Sequence, residues 1–586
     1  MRFPVLLTLL IALLYLTGCR QPTGIVFPVS GAEVDNPVHL VASDAVTWFD
    51  GEQQLGVGTA WSGWLSPGDH EIRALSLGGT ASLRLHVRLP FPIGKIVPAP
   101  NDFDPGQAPV GRYLRVWGKV FNSTISYAGN LNLLNAVVSS PHSRLAQGAP
   151  AQESPSGVRT RTVSEAIFSR TASLLASGRP SVCGDGCVEK PTKSIGALYA
   201  EPPLHRTFKV LNLTDYGYER VSSTLVGQGV HALAYIEDGQ PQEVRDAVYS
   251  LFQAFDGHIH ERVSTVFGGY SDVDGNGKVI LLFTPRLNAS GLAIGFFYPG
   301  DLFPASDDLP ESNESEILYL GLPEDGDFNY SPASLEATAC HELQHLVNFS
   351  HVTLPYAYEP SPPLSPVWLN EGLSHLAEDL CGYNTLGGNL AFVSRFLERP
   401  WTVSLTSTGV DGRGDSIERR GAAYLFLRYA LERAGGVGFD AEGKLAGRGL
   451  SFTHALMSPD ALTLDKVAAA ATGVEDGERL LWRWWWTLAV ASLRQAGLDV
   501  TERYPWAVYA PTLVDAVTGD MLGVDLFRGR VTIGEFTFSL EGLRYAGDCS
   551  IAALPVYGLC AEEQPRPLPD APSSAGPVEV QIMRVE

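Results

Sequence analysis

The chain has 586 residues, and its 42 Lys and Arg against 64 Asp and Glu leave a formal net charge of −22. This balance excludes nucleic-acid binding through a basic groove, because nothing would neutralise the phosphates. Hydrophobic residues at 45 % exclude disorder throughout, and 60 Gly with 40 Pro favour loops and β-structure over a long helical array. At roughly 150 residues per domain, the length predicts about three or four domains.

In chain order, Arg2 precedes an apolar run from Phe3 to Leu16 that is too short for a comfortable membrane span of about 20 residues. The run ends in Leu16-Thr17-Gly18-Cys19, small residues at an export-signal cut site. The stretch resembles the lipobox of bacterial lipoproteins. That resemblance implies a signal peptide over 1–18, lipidation at Cys19 and an extracytoplasmic body anchored in the cell envelope of a bacterium. The alternative is an ordinary signal peptide with an incidental Cys. Six cysteines remain, Cys183, Cys187, Cys340, Cys381, Cys549 and Cys560. Their even number in an exported chain predicts three disulfides, and local spacing suggests Cys183–Cys187 and Cys549–Cys560, leaving Cys340 with Cys381.

Within 19–95, short apolar runs at 25–27, 38–42, 46–49, 70–75 and 83–87 alternate with Gly, Asp, Asn and Pro turns, which predicts a β-sandwich. The segment is similar to bacterial immunoglobulin-like modules, which implies a spacer or an adhesion role. Residues 96–204 read as a β-rich or irregular region with a Ser-, Pro- and Gln-rich linker over about 139–161. From about 205 the texture becomes α+β, with a strand at 232–236 and an amphipathic helix near 244–255. Asp272, Asp274, Asn276 and Gly277 match the first half of a calcium loop, but Phe283 occupies the position of its bidentate Glu. A tight turn held by Asp side chains is the preferred reading, with Ca2+ as the alternative. Helices are expected at 420–433, 458–471 and 479–496. The Trp482, Trp484, Trp485 and Trp486 cluster on the last of these reads as core rather than as a ligand platform. The region 501–586 returns to β-like texture with a Pro-rich tail.

The segment that carries chemistry is His341-Glu342-Leu343-Gln344-His345. Ser331 can cap its helix, with Pro332 at the first position. Four residues on a helix bring His341 and His345 to within about 40° of one another, so both imidazoles can bind one zinc ion. Glu342 lies about 100° round, beside the metal, where it can take a proton from the attacking water. A third ligand would leave one position open. His351 stands at the metzincin spacing, although Asn348 replaces the Gly of that pattern and no Met-turn follows nearby. Glu371 lies in Val367-Trp-Leu-Asn-Glu-Gly-Leu-Ser-His-Leu-Ala-Glu-Asp-Leu380, where Leu369, Leu373, Leu376 and Leu380 form a stripe and Glu371, His375 and Glu378 share another face.

The phrases "HELQH" and "WLNEGLSHLAEDL" resemble the gluzincin clan of zinc peptidases, and over about 205–495 the chain is similar to the hyicolysin-type secreted bacterial family. The resemblance implies Zn2+ held by His341, His345 and Glu371, Glu342 as catalytic base, and a zincin catalytic subdomain over 205–400 followed by a helical subdomain over 401–500. It also implies a peptide or protein substrate. The fold class expected is therefore multidomain: a β-sandwich, an α+β peptidase body with a mixed sheet and an active-site helix, and a β-rich C-terminal region. The chain lacks the G-x-M-E-N strand of the clan's aminopeptidases, which favours endopeptidase action. Glu418 stands where those enzymes carry a Tyr, leaving His375 and Tyr424 as candidate transition-state donors. Ile317–Leu320 reads as the strand edge that would pair with substrate. The alternatives are a metzincin-type peptidase using His351, or a non-catalytic adhesive surface lipoprotein.

Overall fold

The computed structural model describes residues 24–87 with short breaks at 35–37, 64, 67 and 77, then 96–99, 113–118 and 163–176. It continues over 201–398 apart from 214–216, and over 403–495 with breaks at 404, 407–411, 413–414 and 474–475. The last described stretches are 513–524, 530–533, 536–539, 557–562 and 579–584. The signal-like segment, Cys19, Cys183, Cys187 and Cys549 lie outside the described residues. Two compact units emerge, one of Met1–Lys119 with Tyr545–Glu586 and one of Val120–Arg544.

The first unit contains β1 (Ile25–Phe27), β2 (Ala32–Val34), β3 (Val38–Asp50), β4 (Gln53–Gly63), β5 (Gly68–Ser76) and β6 (Gly79–Val87). Alternation along β3, β5 and β6 turns Val38, Leu40, Trp48, Ile72, Ala74, Leu83 and Leu85 into one core. Where two sheets are expected, all six strands join one hydrogen-bonded sheet. The two runs at 38–42 and 46–49 are a single strand, β3, with a register irregularity between Val41 and Val46. That length lets β3 pair with β4 along most of its course and with β5 at its end. In the same unit, β7 (Ile96–Ala99) and β8 (Tyr113–Gly118) pair with Tyr557–Glu562 and Glu579–Arg584. Strands near both ends of the chain thus share one sheet.

Among the described residues of the second unit the first element is α1 (Val163–Ala176), a helix inside the stretch read as β-rich or irregular. Its sheet contains β9 (His205–Leu211), β10 (Tyr218–Gln228), β11 (Ala232–Glu237), β12 (Val279–Phe283), β13 (Gly295–Phe297) and β14 (Ile317–Leu320). The order is β13-β14-β12-β11-β10-β9, mixed, with β11, β12 and β14 parallel. Those three central strands are buried almost throughout, as parallel strands covered on both faces are. The edge strand on the β14 side is β13, antiparallel to β14, so Ile317–Leu320 is interior rather than the free edge expected.

Between the strands, α2 (Gln242–Ala254) runs through one π-turn, Phe255–Ile259, into α3 (His260–Phe267). Helix α4 (Pro285–Ser290) lies between β12 and β13, and after the last strand of the sheet come α5 (Pro332–Val352), α6 (Val367–Leu380), α7 (Asn389–Glu398) and α8 (Ile417–Arg433). Further helices span Leu464–Thr472 and Gly477–Gln495. Trp482, Trp484, Trp485 and Trp486 are all buried, and Trp484 stacks on Phe396, so the cluster is core. Among the described residues no helix is long and apolar enough to cross a membrane.

Candidate active site

The helix α5 starts as its sequence requires. The Ser331 hydroxyl accepts the Ser334 N–H and Pro332 sits in the first turn. Packing does the rest, since α6 lies against it with every residue from Val367 to Leu380 buried. At Gly372 a Cβ would come within 3.0 Å of side chains on α8, so the glycine after Glu371 allows α6 and α8 to approach closely.

This packing aims Glu371 at the two histidines of α5. Glu371 Oε2 lies 3.4 Å from His341 Nε2, and Glu371 Oε1 lies 3.9 Å from His345 Nε2. Tetrahedral zinc with bonds of about 2.0–2.1 Å holds its ligand atoms roughly 3.4 Å apart, so the first separation already fits a shared ion. All three residues form one potential metal cluster. Glu371 Oε2 is buried with no aligned hydrogen-bond donor, although Arg420 Nη1 stands 3.0 Å away. A carboxylate whose two oxygens face two imidazole nitrogens suits a divalent cation, and two nitrogens with one carboxylate form a zinc-type donor set.

The outer nitrogens are fixed as well. His341 Nδ1 donates to Glu378 Oε1 at 2.7 Å, and His345 Nδ1 is 3.1 Å from Asn370 Oδ1. Both bonds hold the Nε2 atoms toward the cleft and set the tautomer. Ser374 supports the second ring, its hydroxyl donating to Gln344 Oε1 at 2.6 Å and lying 3.1 Å from His345 Nδ1. Burial disfavours charge on both imidazoles. At His341 the bonds to Glu371 and Glu378 outweigh burial and push it up to about 10, whereas at His345 burial and the neighbouring His341 push it down to about 3. Burial would raise the Glu371 carboxyl, but Arg420 and the two histidines hold it below the usual range.

Glu342 is buried on the same helix, and its Oε2 accepts the Phe297 N–H of edge strand β13 at 2.8 Å. Burial pushes its carboxyl up to about 7. His341, Glu342, His345 and Glu371 line one cleft together with Ile294–Phe297, His375, Glu378 and Arg420. Phe168 of α1 also lines it and meets the His345 ring edge-on, with centroids 6.1 Å apart.

Three residues named from sequence fall elsewhere or act differently. His351 is an exposed residue in the last turn of α5 and bonds the Gly269 carbonyl at 2.8 Å. The helix runs unbroken through Asn348, so the bend that would swing His351 toward His345 does not form and the metzincin ligand set is not assembled. Tyr424 is buried away from the cleft lining, its hydroxyl 2.9 Å from both Asp379 Oδ2 and Asn384 Oδ1. These bonds leave it structural rather than poised as a donor. His375 does line the cleft, with Nδ1 2.8 Å from Glu378 Oε1 and from Asn389 Oδ1. Cys340 and Cys381 are both buried free thiols, so the expected bridge between them is not formed.

Arg420 went unrecognised in sequence, although it stands in the Arg-Arg-Gly phrase before Ala422. It pairs with Asp415 through Nε and Nη2 and reaches Glu371 through Nη1. Nothing in its periodicity marks it, since its partner Asp415 precedes the helix and Glu371 belongs to another.

A helix-borne His–Glu–His set, a facing glutamate and a substrate-sized cleft are the parts of a zinc metallopeptidase. Comparison with known proteins supports that relationship. The chain is 26 % identical over 234 residues to the neutral metalloprotease ShpI of Staphylococcus hyicus, covering 38 % of this chain and 50 % of that protein. The chain thus spans about half the length of the curated relative it matches. No family model matches. Among solved structures, yeast LTA4 hydrolase in complex with bestatin aligns over 49 % of this chain and 39 % of its own, at 11 % identity and a TM-score of 0.25. At that score the likeness says nothing about the fold.

Proposed function

We propose that the protein is a zinc-dependent endopeptidase, exported and lipid-anchored through Cys19 in a bacterial cell envelope. In this reading His341, His345 and Glu371 hold the metal and Glu342 is the general base. The observation that carries it is the convergence of Glu371 from α6 on the two Nε2 atoms of α5, with Glu342 beside them in one cleft. The envelope location rests on the Arg2–Cys19 segment alone.

When bound, zinc supplies Lewis-acid chemistry, polarising a carbonyl and acidifying water. Glu342, with a carboxyl near neutrality, accepts the proton of the attacking water and delivers it to the departing nitrogen. The Phe297 N–H fixes that carboxylate, so the base is held without depending on substrate. Edge strand β13 offers backbone groups along the cleft for an extended peptide. Arg420, anchored by Asp415, keeps Glu371 ionised and directed at the histidines. Glu378 and His375 brace His341 from behind.

Casein hydrolysis by the purified chain tests the proposal. Activity should be lost with 1,10-phenanthroline and return with zinc, and Glu371→Ala should lose both zinc and activity. A non-catalytic adhesive role predicts no cleavage under any metal, and a metzincin predicts that His351→Ala is the variant that sheds zinc.

A further inference from the structure

We propose that Asp272, Asp274 and Glu316 form a second metal site, built of oxygen donors, that takes a calcium ion. The loop before β12 carries half of a calcium-loop pattern in sequence, and Phe283, where that pattern wants its last Glu, is a fully buried strand residue. The fold brings the missing carboxylate from elsewhere. Glu316 immediately precedes β14, which pairs in parallel with β12, and the Ile280 N–H donates to the Glu316 carbonyl at 2.8 Å. Register between the two strands therefore places Glu316 beside the loop.

One oxygen from each of the three carboxylates lies within 4.8 Å of the others. A shared calcium reaches donors up to twice its bond length of about 2.3–2.6 Å apart, so the three fall within its span. Glu316 is 1 % exposed, and its Oε1 accepts the Val273 N–H at 2.8 Å. Its Oε2 is buried with no hydrogen-bond partner. The Ser271 hydroxyl also acts on this carboxyl and favours its charged form. A buried, unpaired carboxylate oxygen is costly unless a cation answers it. Among the described residues no guanidinium is paired with it, and Arg206, whose charge reaches Asp274, donates to the Asn313 carbonyl and the Ser315 hydroxyl.

The two Asp side chains also hold the loop. Asp272 Oδ1 accepts the Gly277 N–H at 2.9 Å, and Asp274 Oδ1 accepts the Asn276 N–H at 3.1 Å. A carboxylate offers about four lone-pair sites, so these bonds leave room for a metal. Asn276, a candidate ligand by sequence, is turned into the loop, its Oδ1 accepting the Lys278 N–H at 2.6 Å and its Nδ2 bonding Asp274. Glu316 takes its place in the ligand set. Carboxylates without nitrogen or sulfur select hard cations, and three of them from two segments suit the larger, more adaptable coordination of calcium over magnesium. The site would clamp the starts of β12 and β14 next to the far end of α5, where the Ser271 N–H donates to Ser350 Oγ at 3.0 Å.

Calorimetric titration of the full, zinc-loaded chain with calcium and with magnesium tests this without any substrate. Binding of one calcium per chain is expected, with Tm rising by roughly 5 °C at saturation. Glu316→Gln and Asp274→Asn should each lose the binding and the Tm rise while keeping their zinc. Absence of saturable calcium binding in the wild type overturns the proposal, as does an undiminished Tm rise in either variant. Tighter binding of magnesium overturns the choice of ion.

Discussion

Helices α5 and α6 both line the cleft, yet they are built differently. The first carries its chemistry in five consecutive positions and exposes His351 near its C-terminal end. The second is buried over its whole length, although Asn370, Glu371, Ser374, His375, Glu378 and Asp379 are polar. Each must therefore find a partner, because burying a polar group without one costs about 1–3 kcal/mol or more. Glu378 finds His341, Ser374 finds Gln344, and Asp379 takes Arg428, Tyr424 and the Gly523 N–H. The comparison teaches a division of labour. Helix α5 names the reaction, and α6, through its internal partners, decides where the groups of α5 point.

Breaking one link from α6 to α5 should show this most strongly. Glu378→Gln leaves an acceptor for His341 Nδ1 but removes the charge, and zinc affinity or kcat should fall about 10- to 100-fold. Zinc competition with a chromogenic chelator, read beside casein turnover, checks it. Undiminished affinity and turnover would mean that α6 does not orient α5. Cutting a link that serves only the far side of α6 should spare the reaction. Tyr424→Phe removes the hydroxyl between Asp379 and Asn384 and should cost about 1–3 kcal/mol of stability in urea melts. Its kcat/KM should stay within about twofold, whereas a fall near 100-fold would make Tyr424 the transition-state donor after all.

A smaller effect is expected where α6 ends. The His258 ring lies 2.8 Å from the Tyr383 hydroxyl, and burial, then the charge of Arg262, push it down to about 4. The folded value lies below the ordinary 6.5, so the fold prefers the neutral ring. Its contribution is complete above pH 6.5 and lost as pH falls through 6.5 toward 4. His258→Gln should thus be less stable than wild type near pH 7, with the gap in Tm narrowing on acidification. A gap that widened would reverse the assignment.

Sequence pattern captured the parts of this arrangement that depend on local spacing. The apolar stripe of α6, the Ser331 cap and the facing of His341 and His345 follow from a period of 3.6 residues. The long-range pairings escaped it. Arg420 reaches Glu371 from another helix, Glu316 meets Asp272 through strand register, and β13 covers the edge that Ile317–Leu320 was expected to present. Strand β4 escaped for another reason, since Gln53–Gly63 is largely exposed and has no clean alternation. The choice between His351 and Glu371 likewise depended on whether α5 bends at Asn348, which spacing alone leaves open.

Zinc content and casein hydrolysis measured together on wild type and Glu342→Gln test the central claim most directly. Wild type should carry one zinc per chain and cleave. Glu342→Gln should keep that zinc and lose at least about 100-fold in turnover, because only the proton-accepting group is gone. A Glu342→Gln chain that cleaves casein at the wild-type rate would contradict the account.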